Sequence, residues 1–200
     1  MLHSTNHMAG FFIILEGPDG AGTTTHSRLL AERLEAEGRK VLLTAEPTDG
    51  PVGTWVRAEL KKGTKLPPAS LQLLFTADRA WHMENVIEPA LARGETVICD
   101  RYFHSTIVYG SVQGLPSDWL KEMNTKFIQP DQVIFLLPPF DVCRERVGRR
   151  ESTDEFEEES FQKKVYDGYE ALAREESGIT VIRSTGEKKD VSQEIFSSLH

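Results

Sequence analysis

Only two cysteines, Cys99 and Cys143, occur in 200 residues. Two such thiols make no disulfide framework and no metal-ligand cluster, so a reduced, cytoplasmic setting is expected. No apolar run approaches the ~18 to 20 residues that a membrane helix needs. Excess positive charge is also missing: the formal net charge is -8 and the pI about 5.3. That argues against broad electrostatic binding to nucleic acid, which requires a basic surface. It leaves room for a local basic pocket around a small phosphorylated ligand. No internal repeat is visible. Residues 1–10 lack the basic-then-apolar pattern of a signal peptide. They are taken as a loose N-terminal tail, with residues 11–200 as a single domain.

What is present is ordinary globular material. The chain is 39% hydrophobic with a mean hydropathy of -0.36, which excludes a mainly disordered polymer. Its length suffices to bury a core without covalent staples. Short apolar runs recur at residues 11–15, 41–44, 96–99, 133–137 and 179–182. Each has strand length, is rich in Val, Ile and Phe, and is apolar on both faces, as buried parallel strands are. Longer segments at 27–37, 68–93 and 161–175 place apolar residues at helical spacing. Leu29, Leu30 and Leu34 mark the first of these; Phe161, Val165, Tyr169 and Leu172 mark the last. Strands alternating with helices predict an α/β fold with a five-stranded parallel sheet flanked by helices. Ligands of such sheets bind at the carboxyl ends of the strands, so the chemistry belongs where each run stops.

The first run stops at Glu16-Gly17-Pro18-Asp19-Gly20-Ala21-Gly22-Thr23-Thr24-Thr25. Two glycines five apart, then hydroxyl residues opening a helix, match the phosphate-binding loop G-x-x-x-x-G-K-[ST] at all positions but one. The glycines let the backbone wrap an anion closely with its N–H groups. The helix N-terminus adds partial positive charge. Thr24 holds the position whose hydroxyl reaches Mg²⁺. Thr23 stands where the motif has lysine. A unit charge ~4 Å from a phosphate is worth about 4 kcal/mol at an effective dielectric near 20. Another cation must therefore take over, or the loop binds phosphate without efficient chemistry. Arg144, Arg146, Arg149 and Arg150 cluster after the fourth strand run. The alternative for them is a solvated helix face paired with Glu151, Glu155 and Glu157.

The third run ends in Asp100-Arg101-Tyr102. A carboxylate there is placed to hold Mg²⁺, and the guanidinium to hold a phosphate. Taken alone, the two also read as a buried ion pair that fixes a loop. The second run ends in Glu46-Pro47-Thr48-Asp49-Gly50, a loop by its Pro and Gly. On the long helical segment, Phe75 and Arg79 are four apart and share a face. A ring beside a guanidinium suits a flat heterocycle with an acceptor edge. By itself such a Phe more often packs in a core.

The order of these pieces resembles thymidylate kinase. The carriers are Glu16-Gly17-x-Asp19-Gly20-Ala21-Gly22, Glu46-Pro47, Phe75-x-Ala77-Asp78-Arg79 and Asp100-Arg101-Tyr102-x-x-Ser105-x-x-x-Tyr109. The likeness runs from Phe12 to about Ile195. It implies a three-layer P-loop NTPase-type fold with a lid near residues 144–160. It further implies transfer of the γ-phosphoryl group of ATP to dTMP, with Mg²⁺, in a cytoplasmic homodimer. By the same resemblance, the loop from Gly17 and Pro18 through Asp19, Gly20, Ala21, Gly22, Thr23, Thr24 and Thr25 would bind ATP, with Arg146. Phe75 would stack on thymine and Arg79 would donate to its O4, with Ser105 near the same edge. Tyr109 would crowd the sugar 2′ position, and Asp19 would meet the 3′-hydroxyl. Arg101, Arg57 and Glu46 would lie at the phosphates. Thr24 and Asp100 would serve Mg²⁺; Asp19 and Arg101 would act catalytically, with Arg149 and Arg150 from the lid. One subdivision of the family carries a catalytic arginine at the position of Gly20. Gly110 stands where a glutamine is common. A sister deoxynucleotide kinase, such as one using dUMP, and a non-catalytic nucleotide-binding protein are the competing readings.

Overall fold

The computed structural model describes residues 10–63, 65–148, 155–183 and 185–199, with the side chains of 155–158 excepted. The expected tail at 1–9 and the expected lid arginines, Arg149 and Arg150, lie outside the described residues. The chain runs β1 (Phe11–Glu16), α1 (Thr23–Ala36), β2 (Val41–Ala45), α2 (Pro51–Lys61), α3 (Pro68–His82), a π turn (Met83–Ile87) and α4 (Glu88–Ala92). It continues through β3 (Thr96–Asp100), α5 (Phe103–Val112), α6 (Ser117–Glu122), β4 (Gln132–Leu136), α7 (Phe140–Val147), α8 (Glu155–Glu175), β5 (Ile179–Ile182) and α9 (Lys188–Ser197). The strands form one five-stranded sheet in the order β2-β3-β1-β4-β5, parallel throughout. Among the described residues, no helix is long and apolar enough to cross a membrane.

Period-two alternation divides the core between the two faces. Phe12 and Ile14 of β1 join Val97, Cys99, Phe135, Val165 and Tyr169 on one side. Ile13 and Leu15 join Ile98, Ile134, Leu136, Leu30, Leu34 and Ile195 on the other. The central strands β1, β3 and β4 are buried nearly throughout. The edge strands β2 and β5 are not: most of their residues are half-buried, with Leu43 exposed. Burial on both faces thus holds for the centre of the sheet and fails where a strand has one neighbour.

The segment expected as a single helix over 68–93 is helical from Pro68 to Ala92, with a π turn at Met83–Ile87. Pro89 lacks an N–H for the carbonyl four residues back, and its ring crowds that turn. The wider π turn just upstream accommodates both. Helices α2, α5, α6, α7 and α9 were not predicted. They are short, and α5 is apolar around most of its girth.

Phe135 is fully buried, with its ring edge-on to Tyr169 at 5.3 Å and to His104 at 5.4 Å. Truncation at the middle of the sheet leaves a cavity that neighbouring strands cannot close. Phe135→Ala therefore lowers stability by about 3–5 kcal/mol, seen as a lower urea midpoint with the slope unchanged.

Candidate active site

The connection from β1 to α1 is shaped by its neighbours. A Cβ on Gly17 would lie 2.6 Å from the Leu136 carbonyl. Gly20 and Gly22 have φ of 81° and 97°, values that L side chains rarely adopt. No side chain caps α1, so its first turn opens directly onto the loop. Ala21 N–H donates to Pro18 O at 3.1 Å and closes the turn. Thr23 is buried, Thr25 half-buried and Thr24 exposed. The Thr24 hydroxyl donates to Asp100 Oδ2 at 2.5 Å.

Asp100 comes from β3, which pairs directly with β1. Its other carboxylate oxygen, Oδ1, is buried without a partner. A hydroxyl and a carboxylate, both hard oxygen donors, suit a small divalent cation that completes its shell with phosphate and water. No group of three or more His, Cys, Asp or Glu could form a metal cage among the described residues.

Arg101 follows at φ 70°, the one non-glycine residue with positive φ among those described. A left-handed arginine costs about 1–3 kcal/mol, and its surroundings enforce it. Its N–H donates to Leu15 O at 2.9 Å. Its Nη2 pairs with Asp19 Oδ1 at 2.7 Å, while Nη1 donates to Ser105 Oγ at 3.2 Å and Tyr169 Oη at 3.4 Å. Arg101 thus pairs with Asp19, not with Asp100, which corrects the Asp100–Arg101 ion-pair alternative. Beneath it, Glu16 is fully buried. Glu16 accepts hydrogen bonds from Tyr102 N–H (2.7 Å), Ser105 N–H (3.1 Å), Ser105 Oγ (2.7 Å) and Tyr169 Oη (2.9 Å).

A cavity of about 330 Å³ opens beside Arg101. Asp19, Glu46, Phe75, Arg79, Arg101, Ser105 and Tyr109 all line it, with Gln72, Gln113 and Phe161. Arg79 is only 1% exposed. Its Nη2 lies 2.8 Å from Glu46 Oε2 and 3.2 Å from Thr106 Oγ1, and its Nη1 donates to Asn124 Oδ1 at 2.6 Å. Glu46 is held in turn by His82 Nδ1 at 3.1 Å. Asp78 on α3 fixes the loop after β2, accepting from Thr48 N–H at 2.7 Å and Thr48 Oγ1 at 2.6 Å. Arg57 lies apart from this cavity. It lines a recess of about 280 Å³ with Thr24 and Asp100, and donates to the carbonyls of Pro47 and Thr48.

A sequence model described as "Thymidylate kinase" matches residues 15–195. The chain is 38% identical over 194 residues to a probable thymidylate kinase of Pyrococcus horikoshii, covering 94% of this chain and 95% of the relative. It is 37% identical to a probable thymidylate kinase of Thermococcus kodakarensis over 92% and 95% of the two chains. A thymidylate kinase of Geobacter sp. strain M21 is 44% identical over 82% and 79%. The chain belongs to the thymidylate kinase family.

Two departures of this thymidylate kinase homologue now have structural content. Gly20 cannot simply be exchanged for a side chain: a Cβ there would sit 2.3 Å from Cys143 O, at positive φ. At Gly110 a Cβ would come within 2.8 Å of both Leu120 methyls, so a larger residue there requires the Leu120 side chain to shift. Gln72 and Gln113, hydrogen-bonded at 3.1 Å, line the cavity instead. Arg144 turns away to Glu159 at 3.0 Å and Asp141 at 3.3 Å. These are solvated partners on a helix face; Glu151 and the side chains of Glu155 and Glu157, the partners expected there, lie outside those described. Arg146 reaches the loop, donating from Nη1 to Gly20 O at 3.0 Å and Ala21 O at 3.4 Å. Both cysteines are free and buried. Burial pushes Cys143 up to about 11 and Cys99 well above its ordinary value, so neither is a thiolate at neutral pH.

Several contributors escaped the sequence reading. Gln162 donates to Asp19 Oδ2 at 3.2 Å, and Phe161 lines the cavity. Tyr169 bonds Glu16 as well as packing in the core. Phe161 and Tyr169 carried only a helical apolar signal, and Asn124 and Gln162 carried none.

Burial raises the Glu16 pKa above the ordinary 4.5, against the lowering effects of Arg101, its hydroxyl partners and the Tyr102 N–H. The folded state then binds the proton more tightly than the unfolded chain, so this group's contribution falls as pH rises from 4.5 through the raised pKa. Glu16→Gln removes that slope. Urea melts across pH 4 to 8 will show wild type losing stability relative to the variant as pH rises.

Proposed function

We propose that this protein transfers the γ-phosphoryl group of ATP to dTMP, giving dTDP. The observation that carries the reading is the single cavity uniting Phe75, Arg79, Tyr109, Asp19 and Arg101 beside a phosphate loop. In this reading the thymine lies against Phe75, and Arg79 donates to its O4 edge. A fixed guanidinium prefers an acceptor there, so thymine or uracil is favoured over cytosine, whose N4 is a donor. Glu46 and His82 set that guanidinium, so Glu46 acts on Arg79 and not on a phosphate. Tyr109 restricts the sugar to deoxyribose, and Asp19 meets the 3′-hydroxyl. Arg101 holds the acceptor phosphate from the cavity side, and Arg57 from the recess.

The loop from Gly17 to Thr25 takes the ATP phosphates, with Arg146 above it. Thr24 and Asp100 are the residues that would hold Mg²⁺, which when bound neutralises charge on the transferring phosphoryl group. The protein's own task is positioning: in-line transfer needs two phosphates aligned and water kept out. Arg149 and Arg150 are assigned to the lid by resemblance alone.

The test is ADP release in a coupled assay with ATP, Mg²⁺ and a panel of dTMP, dUMP, dCMP, dGMP and UMP. Strong preference for dTMP is expected. Preference for another acceptor reassigns the enzyme to a sister kinase, and silence with every acceptor overturns the reading. Asp100→Asn raises the Mg²⁺ concentration for half-maximal rate by about 10- to 100-fold in the same assay.

We extend the proposal to a homodimer, which the resemblance implies. Trp55 on α2, Leu73 on α3 and Leu43 on β2 are large apolar side chains left 43–50% exposed. Sedimentation equilibrium should give twice the 22.5 kDa chain mass, and Trp55→Glu should shift the population toward monomer.

A further inference from the structure

Arg79 and Asn124 stand back to back between two cavities. Arg79 lines the acceptor cavity of about 330 Å³, and Asn124 does not. Asn124 lines a second cavity of about 470 Å³, shared with His104, Lys121 and Glu176, and Arg79 does not. Asn124 is itself only 2% exposed. Whatever it does for the acceptor cavity therefore passes through Arg79.

The contact between the two has one sense. Asn124 Nδ2 donates to Leu120 O at 2.8 Å, which leaves Oδ1 to accept from Arg79 Nη1 at 2.6 Å. The reverse orientation would set an amide donor against a guanidinium donor. The turn that carries Asn124 serves the same arginine twice more. The Phe127 N–H donates to Asn124 O at 3.2 Å, and the Phe127 ring centre lies 5.8 Å from the guanidinium carbon. The Tyr102 ring lies 5.2 Å from that carbon, and its Oη donates to Ile128 O at 3.2 Å. Residues 124–128 thus give Arg79 one acceptor and one ring, and tether a second ring.

The other terminal nitrogen, Nη2, meets Glu46 from the loop after β2 and Thr106 from α5. Asn124 is the anchor of Nη1. A guanidinium held at Nη2 alone keeps freedom to swing about that corner. Held at both ends, it presents its remaining N–H groups in one fixed direction.

We propose that Asn124 is a positioning residue for base selection. By holding Nη1 it aims the remaining donors of Arg79 at a carbonyl edge, so that thymine is taken and cytosine, with an amine in that place, is rejected. The proposal rests on the nucleotide-kinase reading above and deepens it: part of the selectivity belongs to a residue that touches no substrate.

Two substitutions test it. Asn124→Leu keeps the side-chain size and removes the acceptor. Asn124→Asp keeps an acceptor for Arg79 and gives up the Nδ2 donor. Each is compared with wild type for dTMP and dCMP, by kcat and KM in the coupled assay and by Kd in calorimetry without ATP. In Asn124→Leu, KM and Kd for dTMP are expected to rise about 10-fold, and the dTMP/dCMP ratio of kcat/KM to fall by about the same factor. KM for ATP is expected to stay unchanged, and Asn124→Asp to recover most of the ratio. A purely structural role would lower the melting temperature of both variants and leave KM and the ratio unmoved, which overturns the proposal. So does an aspartate variant as unselective as the leucine one. Asn124→Ala replaces Asn124→Leu if that variant melts too early. A crystal structure of Asn124→Leu without nucleotide reads the positioning itself. The guanidinium is expected to leave its place beside Thr106 Oγ1, and an unmoved Arg79 overturns the proposal. Silence of the wild type toward every pyrimidine nucleotide would defeat the kinase reading, on which the crystallographic arm does not depend.

Discussion

The adjacency of β1 and β3 at the centre of the sheet is the constraint on which the site depends. Leu15 pairs with Asp100 across that ladder, so the two strands end side by side. The chain leaves β1 into the phosphate loop and leaves β3 into Arg101. The Thr24–Asp100 hydrogen bond, the Arg101 N–H to Leu15 O bond and the Asp19–Arg101 ion pair all follow from that one register. A slip of one residue would send Asp100 to the opposite face of the sheet. In the observed register Ile13 pairs with Ile98 and Ile14 with Cys99, all four fully buried.

Each arginine facing the cavity is held by carboxylate, hydroxyl or amide oxygens before any substrate arrives. Arg79 has Glu46, Thr106 and Asn124; Arg101 has Asp19, Ser105 and Tyr169. Burying such charges is costly, and these pairs are weak evidence for stability. Their value is geometric: a guanidinium locked in place loses little freedom when it meets an anion or a carbonyl edge. The left-handed backbone of Arg101 belongs to the same pattern, since strain is retained where it aims a side chain.

The five strands were legible because central parallel strands are continuous apolar runs, and their ends located Gly17 to Thr25, Asp100 and Arg101. Helical spacing put Phe75 beside Arg79, and the resemblance alone added Ser105 and Tyr109; all four line one cavity. What escaped was set by tertiary contact. Asn124 reaches the site from the turn after α6 and Gln162 from α8, positions that no local pattern marks. Gly110 reads as a missing glutamine until Leu120 is seen against it. The partners of Arg144 and Arg146 could not be separated: two residues apart on a helix they face nearly opposite ways, and which of them meets the loop is known only once the helix is placed. The edge strands looked as apolar as the central ones, since composition does not say how many neighbours a strand has.

The most direct test of the account is a crystal structure of the protein with dTMP and ADP bound. The account places thymine between Phe75 and Arg79, the acceptor phosphate at Arg101, and the ADP β-phosphate within the loop from Gly17 to Thr24. Binding of dTMP outside that cavity, or of ADP away from the loop, would contradict it.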